Sequence, residues 1–537
     1  MGELKLTVAS IVDDVVKAST SGKGTAALPK EVGRRAILGL FAVSIGVDDD
    51  SSKVVTAALS RTARKLEVSE DAVAESMRKG SEALDVSAWE GYCQSLATTF
   101  LMSCDDPYQD AAEVLLWMVH ACMNSEKREF VPYDARLRAG LRRVAERVQV
   151  PWPAVASFEL AVLVADEHDR KAEENMILES VKAAKLAGET SWVRKASVTA
   201  AATVGAGLLA ATGVLALPAI GSALTAVASA TGAAAVGTAA TAAGSGAGMI
   251  ITGSTMGAAG AGLAGKKMYR RTEGVNQFEF VRLDSETPVS NAALTIGISG
   301  WITEKSDYTE PWSGLSDQIH EEVNCLQWEE KDLTALGKML VNFLYNKATG
   351  AAMEVVVKQT ILRGLLQAVA WPATVIEAAN MIDNEWSVAM NKADAAGSLL
   401  ADVLCKNVQG HRPVSLVGYN LGARVIFQAL RKLNKLNRRD IVENVVLLGA
   451  PVTSDAEEWA DIRRPVAGRL INVFADSDWV LYFIYRTSHL NLGVAGLHPI
   501  QLPGVENVDA VKSLGGSCNY RDSLKKILHG LRLYSGN

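Results

Sequence analysis

From about Pro29 to Asp169, apolar residues recur at i, i+3, i+4 and i+7. The period runs through VGRRAILGLFAVSIGV, DAVAESMRKGSEAL, AAEVLLWMVHACM and DARLRAGLRRVAERV, as expected of amphipathic helices. Ser69 before Glu70 and Asp71, and Asp134 before ARLRAGL, are helix-start signals. CDDPYQD and VQVPWP are breaks between helices. The pattern predicts a flexible N-terminus over 1–28 and an all-helical domain over 29–170. The charged segment ADEHDRKAEENMILESVKAAKLAG reads as a helical stalk or short coiled coil continuing over 171–195. His120 falls on an apolar helix face and is expected to be a packed histidine without chemistry.

The pattern then changes. From Ala196 to Gly265 the chain has no Asp, Glu, Lys, Arg or His, and is mostly Ala, Gly, Thr and Ser. A run of this length could hold two membrane passes of about 20 residues each. Pro218 and the glycines near Gly232 and Gly246 are break points, and small residues around Gly257 and Gly260 let helix backbones approach closely. Trp192, Arg194 and Lys195 precede the run, and Lys266, Lys267, Tyr269, Arg270 and Arg271 follow it. Positive charge and an aromatic residue at both ends place both on the cytosolic side, which implies a hairpin. The alternative is a soluble glycine-zipper layer packed on the next domain.

From Gln277 to Asn537 short β-branched runs alternate with helical periods. QFEFVRL, ALTIGIS, PVSLVG, VENVVLLG, RLINVFA and VENVDAV read as strands. TIGIS and VVLLG are continuously apolar, as in a parallel sheet covered on both faces. LTALGKMLVNFLYNKATG, EWSVAMNKADAAGSLLADVLCKN and LGARVIFQALRKLNKL read as helices between them. The expected fold is a doubly wound, mainly parallel α/β domain.

In such a fold the chemistry lies past the strand C-termini. PVSLVG-Tyr419-Asn420-Leu421-Gly422-ARVIFQAL has the strand–turn–helix spacing of a nucleophile elbow, with Gly418 and Gly422 as its glycines. The nucleophile position holds Asn420, and a carboxamide is not a competent acyl-transfer nucleophile. Gly300 and Trp301 follow an apolar strand, where this fold places one oxyanion donor, and the Leu421 N–H is the expected second. Asp476, Ser477 and Asp478 follow RLINVFA, and an acid at that point in the strand order is where this fold places the triad carboxylate. No histidine follows VENVDAV before the final helix. His498 and His529 are expected to be structural.

The chain has 537 residues, 54 Lys+Arg against 60 Asp+Glu, and a formal net charge of −6. At 49% hydrophobic and 21% charged it is not globally disordered, and its acidic balance excludes nucleic-acid binding through bulk charge. Cys93, Cys104, Cys122, Cys325, Cys405 and Cys518 form no CxxC pair and no zinc-like spacing. Reduced thiols, no metal and no cofactor are expected. Acids interrupt the apolar N-terminus, making it a poor secretory signal, and Leu6 stands where a myristoylation site wants Ser or Thr.

The chain resembles the family of the transmembrane and coiled-coil domain-containing protein 4, α/β-hydrolase-like eukaryotic membrane proteins. The resemblance runs from about residue 130 to the C-terminus. It rests on YDARLRAGLRRVAERV, GAGLAGKKMYRR, ISGW, IDNEWSVAMNKADAAGSLLADVL, GYNLGARVI, VVLLGAPV, SDWVLYFIYR and VAGLHPI…VENVDA. It implies a lipase- or esterase-like fold with a membrane segment before it. The sequence departs from the family pattern at Asn420, where that pattern has Ser. It departs again at Gly516-Ser517-Cys518-Asn519-Tyr520, where Ser517 stands for the histidine. Asp478 persists. The expectation is a membrane-associated pseudohydrolase with its soluble domains facing the cytosol, binding an acyl or membrane lipid or scaffolding a protein partner. The alternatives are an active lipase or esterase using Ser415, Ser477, Ser517 or Cys518, and a structural membrane-hairpin protein.

Overall fold

The computed structural model describes residues 29–45, 53–123 with gaps at 70 and between 73 and 85, 132–162 with gaps, 275–283, 292–315 except 314, 321–348, 373–481 except 408 and 479, 493–511, and 520–531. The expected flexible N-terminus (1–28), stalk (171–195) and uncharged hairpin (196–265) lie outside the described residues, as do Ser517, Cys518 and Trp479. No described helix is long and apolar enough to cross a membrane.

The N-terminal region is helical, as the periodicity predicts. It comprises α1 (Glu31–Ile45), α2 (Lys53–Lys65), α3 (Val86–Ser103), α4 (Pro107–Met123) and α5 (Ala135–Arg147). Asp134 caps α5, its Oδ1 accepting the Arg136 N–H at 2.9 Å. Phe41, Leu115, Met118, Leu137, Leu141 and Trp152 share one buried core, each worth about 1.5–3 kcal/mol of apolar burial. His120 is only half-buried on α4. Burial, and then the nearby Lys65 charge, pushes its imidazole below the ordinary range.

The second region is a seven-stranded sheet in the order β1-β3-β2-β4-β5-β6-β7. Its strands are β1 (Phe278–Arg282), β2 (Leu294–Ile298), β3 (Glu322–Trp328), β4 (Val414–Tyr419), β5 (Val442–Leu448), β6 (Leu470–Phe474) and β7 (Val505–Asp509). Only β1 runs antiparallel to its neighbour. Five helices accompany it: α6 (Glu330–Ala348), α7 (Ala373–Cys405), α8 (Leu421–Lys435), α9 (Ala456–Arg463) and α10 (Tyr520–Leu531). Every residue of β2, β4 and β5 is buried. Strand alternation sends Leu416, Val445 and Leu447 into the core shared with α6–α9, and Val417, Val446 and Leu448 into the core shared with α10. Helices therefore cover both faces, which is why these strands read as unbroken apolar runs.

The strand absent from the sequence reading is β3, EVNCLQW. It has one β-branched residue, and its acids and amides look like the start of the helix that follows. The helix α7 also begins at Ala373, well before the EWSVAM segment that the periodicity marked.

The helical region docks through α5 on the N-terminal ends of the strands. Arg138, fully buried, donates to Glu159, to Glu321 at 2.6 Å and to Glu443 at 2.6 Å. Arg142 adds Glu443 at 3.0 Å. Thr295 of β2 donates to Glu321 and Tyr133 to Glu159, each at 2.6 Å. The Trp152 ring lies under both guanidiniums, 3.9 Å from Arg142 and 5.0 Å from Arg138.

Candidate functional site

At the C-terminal end of β4 the chain turns directly from strand into helix. Asn420 stands between β4 and α8 with φ 50° and ψ −122°. A non-glycine residue in that region costs on the order of 1–3 kcal/mol. It is held there because its N–H donates to the Leu448 carbonyl of β5 at 2.9 Å and its carbonyl accepts the Ala423 and Arg424 N–H groups of α8. Asn420 is 9% exposed as a residue, and its side chain makes no capping bond to the helix.

Neither Gly418 nor Gly422 has positive φ, and the strain falls on Asn420 instead. The two glycines are needed for close approach. A Cβ on Gly422 would lie 2.0 Å from the Ile298 carbonyl oxygen of β2, and one on Gly418 would lie 2.8 Å from the Gly422 backbone. A Cβ on Gly300 would come 2.7 Å from the Asn420 Cβ and 3.1 Å from the Leu421 nitrogen. The β2 corner and the first turn of α8 thus face each other across Asn420. The Leu421 N–H is a first-turn amide with no intrahelical acceptor. Trp301, half-buried, continues the corner beside Gly337 of α6.

A polar brace beneath this corner was not legible in the sequence. Buried Ser299 donates through Oγ to the Asp307 carbonyl at 3.0 Å and accepts the Trp312 indole N–H at 3.0 Å. Its own carbonyl accepts the Trp328 indole N–H at 3.1 Å. Trp312 stacks on Tyr419, the residue before Asn420. Burial pushes the Tyr419 hydroxyl well up, so it stays protonated. The only local signal for this brace was the Ser-Gly-Trp corner itself.

Asp478 is buried in the turn after β6, two strands from β4, and its Oδ1 accepts the Leu481 N–H at 3.1 Å. At about 4.8 Å per strand, the two strand ends are roughly 10 Å apart. His498 and His529 are both exposed, and the His498 carbonyl accepts a bond from Asn472 of β6. Ser415 is buried near the start of β4, at the opposite end of the strand from Asn420. Tyr520, three residues after Ser517, packs its ring where a Cβ on Gly449 would be, immediately after β5. Arg424 of α8 ties the turn to α7 and the β5 loop, pairing with Asp394 at 2.7 Å and donating to the Pro451 carbonyl at 2.9 Å.

Comparison with known proteins places these residues in a wider group. A family model described as a protein of unknown function (DUF726) matches residues 190–534. The chain is 40% identical over 409 residues to the rice transmembrane and coiled-coil domain-containing protein STS1, covering 75% of this chain and 61% of that one. It is 36% identical over 263 residues to an uncharacterized membrane protein of Schizosaccharomyces pombe, covering 48% and 45%. It is 31% identical over 269 residues to the "Probable lipase MIL1" of Saccharomyces cerevisiae, covering 50% of this chain and 25% of that protein. The chain therefore spans less than two thirds of each of these relatives. No solved structure matches it.

Proposed function

The chain belongs to the DUF726 family of unknown function, and from that membership and the geometry above we propose that it is a membrane-associated protein of α/β-hydrolase type whose site binds an acyl or ester group without turning it over. The carrying observation is Asn420. It holds the strained strand-to-helix conformation, φ 50° and ψ −122°, that an exposed nucleophile would need, yet it presents a carboxamide. The strand order supports the fold assignment, as does the buried Asp478 past β6. Gly300 and the Leu421 N–H line the side on which an ester oxygen would sit.

In this reading Asn420 offers an amide donor and an acceptor to a bound carbonyl or carboxylate. Ser517 stands at the histidine position, so neither a nucleophile nor a base is supplied. Membrane association draws on the relatives named as membrane proteins and on the uncharged stretch 196–265. Resistance of the full chain to carbonate extraction is the expected result, and complete release would remove the spanning hairpin from the reading.

The test of the site is covalent labelling with a fluorophosphonate, alongside hydrolysis of short-chain esters. Neither is expected above background. Asn420→Ser alone should give little gain, and Asn420→Ser with Ser517→His should restore labelling. A second reading, an active hydrolase, is favoured by the relative named as a probable lipase. Robust labelling of the unaltered chain would establish that reading and reject the first.

A further inference from the structure

The backbone at Asn420 sets up chemistry of its own. Its ψ is −122°. At a tetrahedral Cα the side chain is offset from the residue's own nitrogen by about 120° around the Cα–C bond. This ψ therefore brings the Asn420 Cβ and the Leu421 nitrogen nearly into eclipse. A strand residue, with ψ about +135°, or a helical one, with ψ about −42°, turns those two atoms well apart. Near-eclipse is what a five-membered ring of Cα, Cβ, Cγ, the next nitrogen and the carbonyl carbon requires. Gly300 faces both atoms without a side chain, since a Cβ there would lie 2.7 Å from the Asn420 Cβ and 3.1 Å from the Leu421 nitrogen.

Both reacting groups are available. Among the described residues the Asn420 carboxamide has no hydrogen-bond partner, so rotation about Cα–Cβ can carry Cγ to the Leu421 nitrogen. The Leu421 N–H is the first amide of α8 and has no intrahelical acceptor. The positive end of this 15-residue helix favours the anion left when that proton is removed.

We propose that Asn420 is a site of self-modification, at which the Leu421 nitrogen attacks the Asn420 Cγ and closes a succinimide. Base removes the Leu421 proton. The new N–Cγ bond forms, the Cγ–Nδ2 bond breaks, and Nδ2 takes up a proton and leaves as ammonia. Water then opens the ring at one carbonyl or the other, giving aspartate or isoaspartate. Ring closure consumes the carboxamide and the Leu421 N–H that the acyl-binding reading uses, and so retires that site. The reaction needs only the turn, and it stands whether or not the site binds an acyl group.

The experiment incubates the full chain at pH 8, folded in one sample and unfolded in guanidinium chloride in the other. Each is quenched in acid and digested with pepsin, and the peptide carrying residues 419–422 is followed by mass spectrometry. Loss of one ammonia marks the imide, and exchange of NH2 for OH marks its hydrolysis products. Together they are expected to accumulate about tenfold faster in the folded chain, the gain from holding one residue's backbone in the reactive geometry beforehand. The folded rate should fall at pH 6, because base must remove the amide proton. Imide or isoaspartate identifies the ring, since direct hydrolysis of the carboxamide gives aspartate alone. A folded rate no greater than the unfolded one, a rate that does not fall at pH 6, or aspartate as the sole product would overturn the proposal. Fluorophosphonate labelling, which tests the acyl-binding reading, has no bearing on any of these three results.

Discussion

Replacing Arg138 with Met isolates the contact that joins the helical region to the sheet. The guanidinium is fully buried and bonds three carboxylates, Glu159, Glu321 and Glu443, at 2.6–2.9 Å. Methionine fills similar volume but leaves those carboxylates with Arg142 alone for buried charge compensation. Breaking a buried pair by removing one partner costs about 3–5 kcal/mol. The loss should depend on pH in a definite direction. Burial pushes the Glu443 carboxyl up, but Arg138 and Arg142 outweigh it and hold the group below its ordinary range. In the unaltered chain its contribution is therefore complete above the unfolded-state glutamate value and is lost only as pH falls through the lower folded value. Between pH 8 and pH 5 that contribution is flat. In Arg138→Met the larger of the two opposing charges on Glu443 is gone, burial prevails, and that carboxyl takes up a proton above the ordinary value. The variant thus recovers stability as pH falls toward 5, by about 1.4 kcal/mol for each unit of upward shift. Urea unfolding of the full chain at pH 8 and pH 5, followed by far-ultraviolet circular dichroism, measures both quantities. Arg138→Lys should be intermediate, because the ammonium keeps the charge but cannot fork to three partners. A gap below about 1 kcal/mol would refute the assignment of this network as the joint, and so would a gap that does not narrow at pH 5.

Asn420→Gly should raise the thermal midpoint, by about 0.5–1 kcal/mol of stability, because glycine accepts φ 50° without strain. A lowered midpoint would mean that the side chain, not the turn, stabilises this position. Gly422→Ala should cost more than about 3 kcal/mol or prevent soluble accumulation, since its Cβ would meet the Ile298 carbonyl oxygen at 2.0 Å. A stability within error of the unaltered chain, by the same unfolding assay, would contradict the close packing. Asp455→Ala should cost about 1 kcal/mol, because its carboxylate caps α9 through the Glu457 and Glu458 N–H groups at 2.9 and 3.1 Å. Cys104, pushed up to about 11 by burial and then by Asp110, should react with iodoacetamide slowly at pH 8. Its rate should climb steadily toward pH 10, and a plateau below pH 9 would contradict that shift.

Local pattern was enough for most elements. Continuous apolar runs marked β2, β4 and β5, and the 3.6-residue period marked α1, α4, α5 and α8, because burial of one face or both writes itself into neighbouring residues. The Gly418–Gly422 motif was legible for the same reason, since a tight strand-to-helix passage needs small residues at fixed spacing. The brace of Ser299, Asp307, Trp312 and Trp328 was not, because its partners lie up to 29 residues apart and only the folded corner brings their polar atoms together.

The division is clearest in α5. Sequence alone determined that DARLRAGLRRVAER is an amphipathic helix capped by Asp134, and on that pattern Arg138 and Arg142 belong to its polar, solvent-facing side. Tertiary structure alone decided that this side is buried. Its partners Glu321 and Glu443 stand 183 and 305 residues further along the chain. A charge can leave water only where opposite charges have been brought to meet it, and that meeting is set by how the helices dock under the sheet, which no local period encodes.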